Sequence, residues 1–431
     1  MRRVCVWAGF VVTAIVAIAG PRRAVGADDA PQGADRHGVA TFDLEKLFRV
    51  PEVFPADGFQ VGPEGDGRIR PMFFAGPEHR GRPTRVFAWY GAPAVAAGTK
   101  LPAMVLVHGG GGTAFERWVK VWNDRGYAAI AMDLCGCVPR GTYGNWERHA
   151  DGGPPGWDAA FGQLEEPLQD QWPHQAVSAI VLAHSLVRSF PEVDAGRVGV
   201  TGISWGGYLT CLTAGVDPRF RLAVPVYGCG YLADDSAWLA RFAEMGPDKA
   251  GRWTAWWDPA SWLPRAEMPM LWVNGTNDFA YPPGSWQRSY RLPKGPRTLC
   301  LRVRMPHGHG PAGENPEEIR AFADAILRDP ASPPAAGLPT VTGQGTLGDR
   351  TWLSWRGGRP IRTAELCFTL ADGPWQDRLW ETAPATIEAG ADDGAGGGAR
   401  ASAVVPAGAT AWYLNLVDEA GLVVSGEHVV R

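Results

Sequence analysis

The middle of the chain alternates short apolar runs with longer segments of helical periodicity. The apolar runs predict strands at 103–107, 128–132, 222–226, 270–274 and 298–304. The periodic segments predict helices at 115–125, 174–189 and 316–327. Continuous apolar strands between helices are typical of a mostly parallel sheet with helices on both faces. Together with two alternating, antiparallel-type strands before it, this pattern predicts one α/β domain over residues 68–330.

The pattern changes after this domain. Residues 331–339 are rich in proline and alanine, which is typical of a linker. Residues 340–431 show no long helical period, and strands are expected at 351–355, 363–370, 401–405, 410–417 and 422–430. The fold class that we predict is therefore α/β, followed by a small C-terminal all-β, sandwich-like domain.

The beginning of the chain resembles an export signal. Arg2 and Arg3 precede an apolar run at 4–20, and small residues at 24–27 offer a cleavage site. An uncleaved membrane anchor is the alternative, although the run is at the short limit for spanning a bilayer. We expect a signal peptide at 1–27, an N-terminal extension at 28–67, and a periplasmic or extracellular protein without stable membrane association.

Net charge and cysteine spacing argue against two classes of function, nucleic-acid binding and a structural zinc site. The chain has 431 residues and a net charge of −4, and removal of the four signal-peptide arginines leaves 37 basic residues against 45 acidic ones, a net charge of −8. The absence of a basic block argues against nucleic acid as a partner. The six remaining cysteines lack the paired spacing of a structural zinc site. We expect neither a metal nor another cofactor.

Four sequence elements carry candidate chemistry, and each directly follows a predicted strand. In chain order they are a glycine run at His108–Gly112, Ser204 in a Gly-x-Ser-x-Gly pentad, Asp278, and the pair His307 and His309. A serine hydroxyl needs a base to take its proton, and histidine can accept that proton near neutral pH. A carboxylate orients the histidine. The pattern predicts nucleophilic catalysis by Ser204 with Asp278 and one of the two histidines, of which His307 is favoured and His309 is the alternative base.

An oxyanion hole is predicted beside the serine, because a tetrahedral intermediate needs N–H donors that are already in place. Trp205 follows the serine and offers its backbone N–H, and Gly110 or Gly111 offers a second one. The glycine run also fits a flexible turn or a phosphate cradle, but the Gly-Lys-Ser/Thr sequence of a phosphate loop does not follow it. Asp278 also fits an ordinary turn.

These motifs resemble the α/β-hydrolase superfamily, within its acetyl xylan esterase, dienelactone hydrolase and prolyl-oligopeptidase-like branch. The pentad between a strand and a helix resembles a nucleophile elbow, and the order Ser, Asp, His matches the superfamily. The resemblance covers residues 100–328, about half of the chain. It implies an α/β-hydrolase fold and a serine hydrolase with Ser204, Asp278 and His307 or His309 in the triad.

Tryptophans concentrate in an insertion at about 228–268 and in the loop at 135–172. Exposed indoles stack on sugar rings, so we predict substrate binding by Trp146, Trp238, Trp256 and Trp257; the alternative is that they form the core of a cap.

A secreted serine esterase that acts on a carbohydrate ester, acetylated or feruloylated, is the favoured function. The alternatives are a prolyl-oligopeptidase-type peptidase, although residues 28–100 are too few for a propeller, and a non-catalytic binding protein.

Overall fold

The computed structural model describes residues 41–60, 68–156, 159–328, 337–389 and 398–431. The export signal, half of the N-terminal extension and most of the linker that the sequence predicts lie outside the described residues. Within the described ranges, none of the helices combines the length and the apolar character that a membrane span requires.

The first part of the described chain contains eleven strands. They are β1 (Val53–Pro55), β2 (Ile69–Ala75), β3 (Arg85–Gly91), β4 (Leu101–Val107), β5 (Ala128–Met132), β6 (Cys137–Thr142), β7 (Asn145–Arg148), β8 (Val193–Ile203), β9 (Leu222–Val226), β10 (Met270–Gly275) and β11 (Arg297–Arg302). Nine of them form one sheet in the order β1-β2-β3-β5-β4-β8-β9-β10-β11, while β6 and β7 pair as a separate hairpin. The sheet is parallel from β5 to β11 and antiparallel at β1, β2 and β3.

Helices cover both faces of this sheet. They are α1 (Leu44–Leu47), α2 (Glu116–Asp124), α3 (Ala159–Gly162), α4 (Trp172–Val187), α5 (Trp205–Val216), α6 (Leu239–Trp257), α7 (Pro283–Tyr290), α8 (Pro311–Glu314) and α9 (Glu317–Leu327). Helices α2 and α9 contribute Trp122 and Phe322 to one hydrophobic cluster. Helices α4 and α5 contribute Ile180 and Leu209 to the other. Because parallel strands end at the same edge, the loops after β4, β8, β10 and β11 all meet there.

The C-terminal part is all-β. Its strands are β12 (Thr340–Leu347), β13 (Arg350–Arg356), β14 (Ile361–Thr369), β15 (Trp380–Ala389), β16 (Ala399–Val404), β17 (Ala411–Asp418), β18 (Val423–Ser425) and β19 (Val429–Val430). They form one antiparallel sheet, in which β13 and β16 share a hydrophobic cluster with β14 and β17. The predicted fold class, an α/β domain followed by a small all-β, sandwich-like domain, is confirmed.

The two parts are joined by hydrogen bonds around β11. The backbone N–H of Leu301 donates to Ser425 Oγ at 2.8 Å, and Tyr413 Oη donates to the Leu301 carbonyl at 3.1 Å. Gln287 of α7 donates to the carbonyl of His428 at 2.6 Å. The all-β part therefore lies directly against the strand that leads to His307.

Candidate active site

Ser204 occupies a sharp turn between β8 and α5. Its backbone angles, φ 58° and ψ −119°, lie outside the regions that a non-glycine residue prefers. The turn depends on small neighbours: a Cβ on Gly206 would lie 2.0 Å from the Val107 carbonyl, and one on Gly202 would lie 2.2 Å from the Gly206 carbonyl. The strand and the helix can pass this closely only because both positions are glycine. The result is a serine held out at the carboxyl edge of the sheet.

Three side chains from distant parts of the sequence form one hydrogen-bonded chain. His307 Nε2 lies 2.9 Å from Ser204 Oγ, and His307 Nδ1 lies 2.7 Å from Asp278 Oδ2. Asp278 Oδ1 accepts hydrogen bonds from the backbone N–H groups of Ala280 and Tyr281 at 2.9 and 2.7 Å. With the imidazole proton on Nδ1 facing the carboxylate, Nε2 is free to accept the serine proton.

The loops that carry the acid and the imidazole are tied together. The backbone N–H of Arg304 donates to Thr276 Oγ1 at 3.0 Å, and a Cβ on Gly275 would lie 2.7 Å from the Met305 carbonyl. The His307 ring stacks on Tyr227, with ring centroids 4.4 Å apart. The position of His307 is thus set by contacts on several sides.

His309 lies in a different environment from His307. Its Nε2 accepts the backbone N–H of Gly109 at 2.7 Å, and its Nδ1 lies 3.4 Å from Glu314 Oε1. Burial lowers the pKa of His309 below its ordinary value. Burial opposes ionisation of Glu314, but the nearby His309 ring and the hydrogen bonds from Arg117 lower the pKa of its carboxyl. Of the two candidate histidines, the structure therefore brings His307 to the serine and places His309 against the glycine run.

The glycine run after β4 borders the serine. Gly110 and Ser204 line the same cleft, and Gly111 adopts a positive φ of 73°. His108 Nδ1 lies 2.8 Å from the Gly109 carbonyl, and its Nε2 accepts the N–H of Leu134 at 3.0 Å. Burial lowers the pKa of His108, which keeps this ring neutral. Both ring nitrogens of His108 thus contact backbone groups, one at the start of the run and one after β5.

The cleft above Ser204 has a volume of about 750 Å³. His307, His309 and two arginines, Arg117 and Arg241, contribute to its wall. Most of the apolar wall is aromatic, from Tyr143, Phe161, Trp205, Trp238 and Phe279. Sequence reasoning missed Phe161, Phe279 and the two arginines, although the position of Phe279 directly after Asp278 would have indicated it.

The predicted substrate-binding tryptophans divide into three groups. Trp238 lines the cleft. Trp146 is partly buried, and its Nε1 donates to the Gly111 carbonyl at 2.8 Å, so it supports the glycine run. Trp256 and Trp257 are 5% and 0% exposed and belong to the hydrophobic core, which corrects the expectation that they bind substrate. The Trp257 ring packs at the start of α4, where its Nε1 donates to Gln171 Oε1 at 2.7 Å and its centroid lies 6.4 Å from that of His174.

Comparison with known proteins gives two family matches. The model of the acetyl xylan esterase family (AXE1) matches residues 72–240, and the model of the prolyl oligopeptidase family matches residues 162–325. The structure is similar to that of an acetyl xylan esterase from Paenibacillus sp. R4, with a TM-score of 0.52 and 23% identity over 66% of this chain and 92% of that chain. The chain has the α/β-hydrolase fold.

Two further relatives are peptidases. An uncharacterized peptidase of Bacillus subtilis (strain 168) is 26% identical over 216 residues, which are 45% of this chain and 28% of that peptidase. The chain thus spans less than a third of the length of that relative. The acylaminoacyl peptidase of Pyrococcus horikoshii has a TM-score of 0.46 and 20% identity, over 62% of this chain and 43% of that one.

Proposed function

We propose that this protein is a serine esterase in which Ser204 is the nucleophile, His307 the general base and Asp278 the residue that orients the base. The observation that carries the proposal is the hydrogen-bonded chain from Ser204 Oγ through His307 to Asp278, with distances of 2.9 and 2.7 Å. Both distances are within the range that proton transfer requires.

The reaction would proceed through an acyl-enzyme. His307 Nε2 takes the proton of Ser204 as Oγ attacks the ester carbonyl, and it returns that proton to the leaving alcohol. Water then attacks the acyl group by the same route. The oxyanion would be stabilised by the N–H of Trp205, in the first turn of α5, and by an N–H of Gly110 or Gly111.

The substrate class that we propose is an ester of a carbohydrate, acetylated or feruloylated. The aromatic wall of Trp205, Trp238 and Phe279 offers faces on which sugar or phenolic rings can stack. The match to the acetyl xylan esterase family supports an acetyl ester. A cleft of about 750 Å³ has room for more than an acetyl group.

A peptidase of the prolyl oligopeptidase type is the second candidate. The match of that family to residues 162–325 favours it, because this segment contains Ser204, Asp278 and His307. The peptide bond is less reactive than an ester, so a peptidase would hydrolyse both kinds of substrate. Comparison of peptide with ester turnover is therefore the decisive measurement.

The test uses the purified protein with p-nitrophenyl acetate, acetylated xylan, methyl ferulate and a panel of peptide p-nitroanilides. We expect ester hydrolysis that is abolished in Ser204→Ala and retained in Ser189→Ala, whose hydroxyl caps α4 on the Leu186 carbonyl. A fluorophosphonate should label Ser204 in the wild-type protein. Unchanged ester turnover in Ser204→Ala would refute the nucleophile, and faster turnover of peptides than of esters would favour the peptidase.

We also propose that the protein is exported. The basic residues, apolar run and small residues within 1–27 support this proposal. Expression of the full chain in a bacterial host, followed by mass determination of the periplasmic or secreted form, tests it. The expected product begins near residue 28, and an intact N-terminus in the cytoplasmic fraction would contradict export.

A further inference from the structure

His309 is almost fully buried, with 4% of its side chain exposed, yet it has no place in the hydrogen-bonded chain that ends on Ser204. Its Nε2 instead accepts the backbone N–H of Gly109 across 200 positions of sequence, at 2.7 Å. The loop that carries the proposed base is thus bonded directly to the loop that offers the oxyanion donors. A bond between these two loops indicates that His309 does more than fill space in the core.

The protonation state of His309 follows from this bond. A ring nitrogen that accepts a backbone N–H carries no proton, so the proton of the neutral ring is on Nδ1, which faces Glu314 Oε1 at 3.4 Å. Glu314 is in turn held by Nη2 and Nε of Arg117, at 2.5 and 3.2 Å. The tautomer of His309, with its acceptor at Nε2, therefore follows from the groups around the ring.

The next peptide of the glycine run, between Gly109 and Gly110, is held by its carbonyl. In a planar trans peptide the C=O and the following N–H point in opposite directions. The Gly109 carbonyl is bound by His108 Nδ1 and by the Gly112 N–H at 2.8 and 3.1 Å. The N–H of Gly110 consequently points away from these two groups, and Gly110 is the glycine of the run that lines the cleft with Ser204.

The opposite side of the run is held by the turn between β6 and β7. Tyr143 Oη donates to the Gly110 carbonyl at 2.7 Å. The backbone N–H of Gly144 and the indole of Trp146 both donate to the Gly111 carbonyl, at 2.9 and 2.8 Å. These bonds hold the carbonyls of Gly110 and Gly111. At the start of the run, His309 holds the N–H of Gly109.

We propose that His309 is a positioning residue for the oxyanion hole: its neutral Nε2 anchors the Gly109 N–H and so holds the start of the loop that presents the Gly110 N–H to the cleft beside Ser204. This inference rests on the proposed function, because it assigns the oxyanion donors of the same site. It gives the two histidines of the His-x-His sequence separate tasks, in which His307 moves the proton and His309 holds the donors.

The test compares His309→Gln with His309→Met. The two side chains have the same length, but only glutamine has a strong acceptor near the position of Nε2. We expect His309→Met to lower kcat for p-nitrophenyl acetate by about 100-fold, as loss of one oxyanion donor does, with KM nearly unchanged. The inhibition constant of phenylboronic acid, whose serine adduct places an oxygen in the oxyanion hole, should rise by a similar factor. His309→Gln should recover most of both losses.

Two results would overturn the inference while the wild-type protein is an active esterase. One is a Met variant with unchanged kcat and boronate affinity, and the other is a Gln variant that loses as much as the Met variant. A wild-type protein that neither hydrolyses esters nor reacts with a fluorophosphonate at Ser204 would overturn the proposed function and the inference with it. If His309→Met does not fold, His309→Leu replaces it, because leucine also lacks an acceptor near the position of Nε2; unchanged kcat and boronate affinity in that variant would overturn the inference.

Discussion

Asn277 Nδ2 donates to the Arg378 carbonyl at 2.8 Å, and this bond joins the all-β part to the residue next to Asp278. The same amide group reaches the carbonyls of Trp375 and Gln376, both at 3.1 Å. A single side chain thus fixes the loop of the proposed acid against the C-terminal sheet. The all-β part is therefore a structural support of the site.

Asn277→Ala should impair catalysis through this support. Removal of the amide frees the Asp278 loop, and a small displacement of Asp278 misorients His307, so we expect kcat to fall by about tenfold. Gln287→Ala is the control, since it removes a 2.6 Å bond to the His428 carbonyl in the same interface. Steady-state kinetics and thermal unfolding should show a loss of stability in both variants but a loss of kcat in Asn277→Ala alone. Equal kcat values in the two variants would contradict this account.

Tyr227 contacts both His307 and the residue that follows it. Its hydroxyl donates to the Gly308 carbonyl at 2.6 Å, and its ring stacks on the imidazole at 4.4 Å. Tyr227→Phe keeps the ring and loses the hydroxyl, so we expect kcat to fall by about fivefold, in line with one lost hydrogen bond. Tyr127→Phe serves as the control, because it removes a buried tyrosine bond far from the serine, to Asp324 at 2.8 Å. This control should lose stability and keep its kcat; a drop in kcat of the same size there would argue against a specific role of Tyr227.

Gly206 is essential for the turn at Ser204. A methyl group there would lie 2.0 Å from the Val107 carbonyl, so Gly206→Ala must displace either β4 or α5. We expect a free energy of unfolding that is lower by about 3 kcal/mol or more, together with loss of activity. Gly251→Ala in α6 meets nothing within 4 Å and should stabilise the protein by about 0.5–1 kcal/mol. Chemical denaturation measures both changes, and a Gly206→Ala protein of normal stability would disprove the close packing of the turn.

The sequence was most informative where one physical requirement determines the pattern. Continuous apolar runs marked β4, β5, β9 and β10, because a strand that is buried on both faces has few polar positions. The Ser204 turn was recognisable because it needs glycine on both sides. Helix α6 was missed since Gly246, with φ 73°, and Pro247 interrupt its periodicity. Strand β12 was missed because Gly343 and Gly345, on its partly buried face, have no apolar side chains that would reveal an alternation.

The choice between His307 and His309 could not be made from spacing. Both histidines follow the same strand and lie two positions apart. The path of the loop decides which of them reaches Ser204, and that path depends on contacts with Tyr227 and Gly109. The same limit applies to the tryptophans. Trp238 and Trp257 lie in one insertion, and composition cannot distinguish an indole that lines a cleft from one that fills the core.

Trp238 and Trp257 should therefore respond differently to substitution. Trp238 lines the cleft and contacts Trp205, with ring centroids 4.7 Å apart, so Trp238→Ala should raise KM for acetylated xylan by about tenfold if the indole stacks on sugar. Trp257→Phe removes a core bond from Nε1 to Gln171 at 2.7 Å and should cost about 1–3 kcal/mol of stability with KM unchanged. A raised KM in Trp257→Phe, or an unchanged KM in Trp238→Ala, would contradict this assignment.

The buried ring of His428 makes the stability of the protein depend on pH. The ring is 3% exposed, and neither nitrogen has a hydrogen-bond partner among the described residues. Burial, together with the charges of Arg291 and Arg378, lowers its pKa from 6.5 to about 3. Between these two values the unfolded chain binds a proton that the folded chain does not, so the free energy of unfolding falls as the pH falls. This residue alone contributes a slope of roughly 1.4 kcal/mol per pH unit.

The measurement is urea denaturation of the wild-type protein and of His428→Phe between pH 7.5 and 4.5. The variant has no titrating ring at this position, so its free energy of unfolding should decline less steeply below pH 6.5 than that of the wild type. The two slopes should differ by close to the value for one proton, roughly 1.4 kcal/mol per pH unit. Other buried imidazoles, such as His184 with a pKa lowered to about 4 chiefly by burial, continue to titrate in both proteins and cancel in the comparison. Identical slopes would mean that His428 gains a proton in the folded protein as readily as in the unfolded chain, and that the interface between α7 and the all-β part admits a charge there.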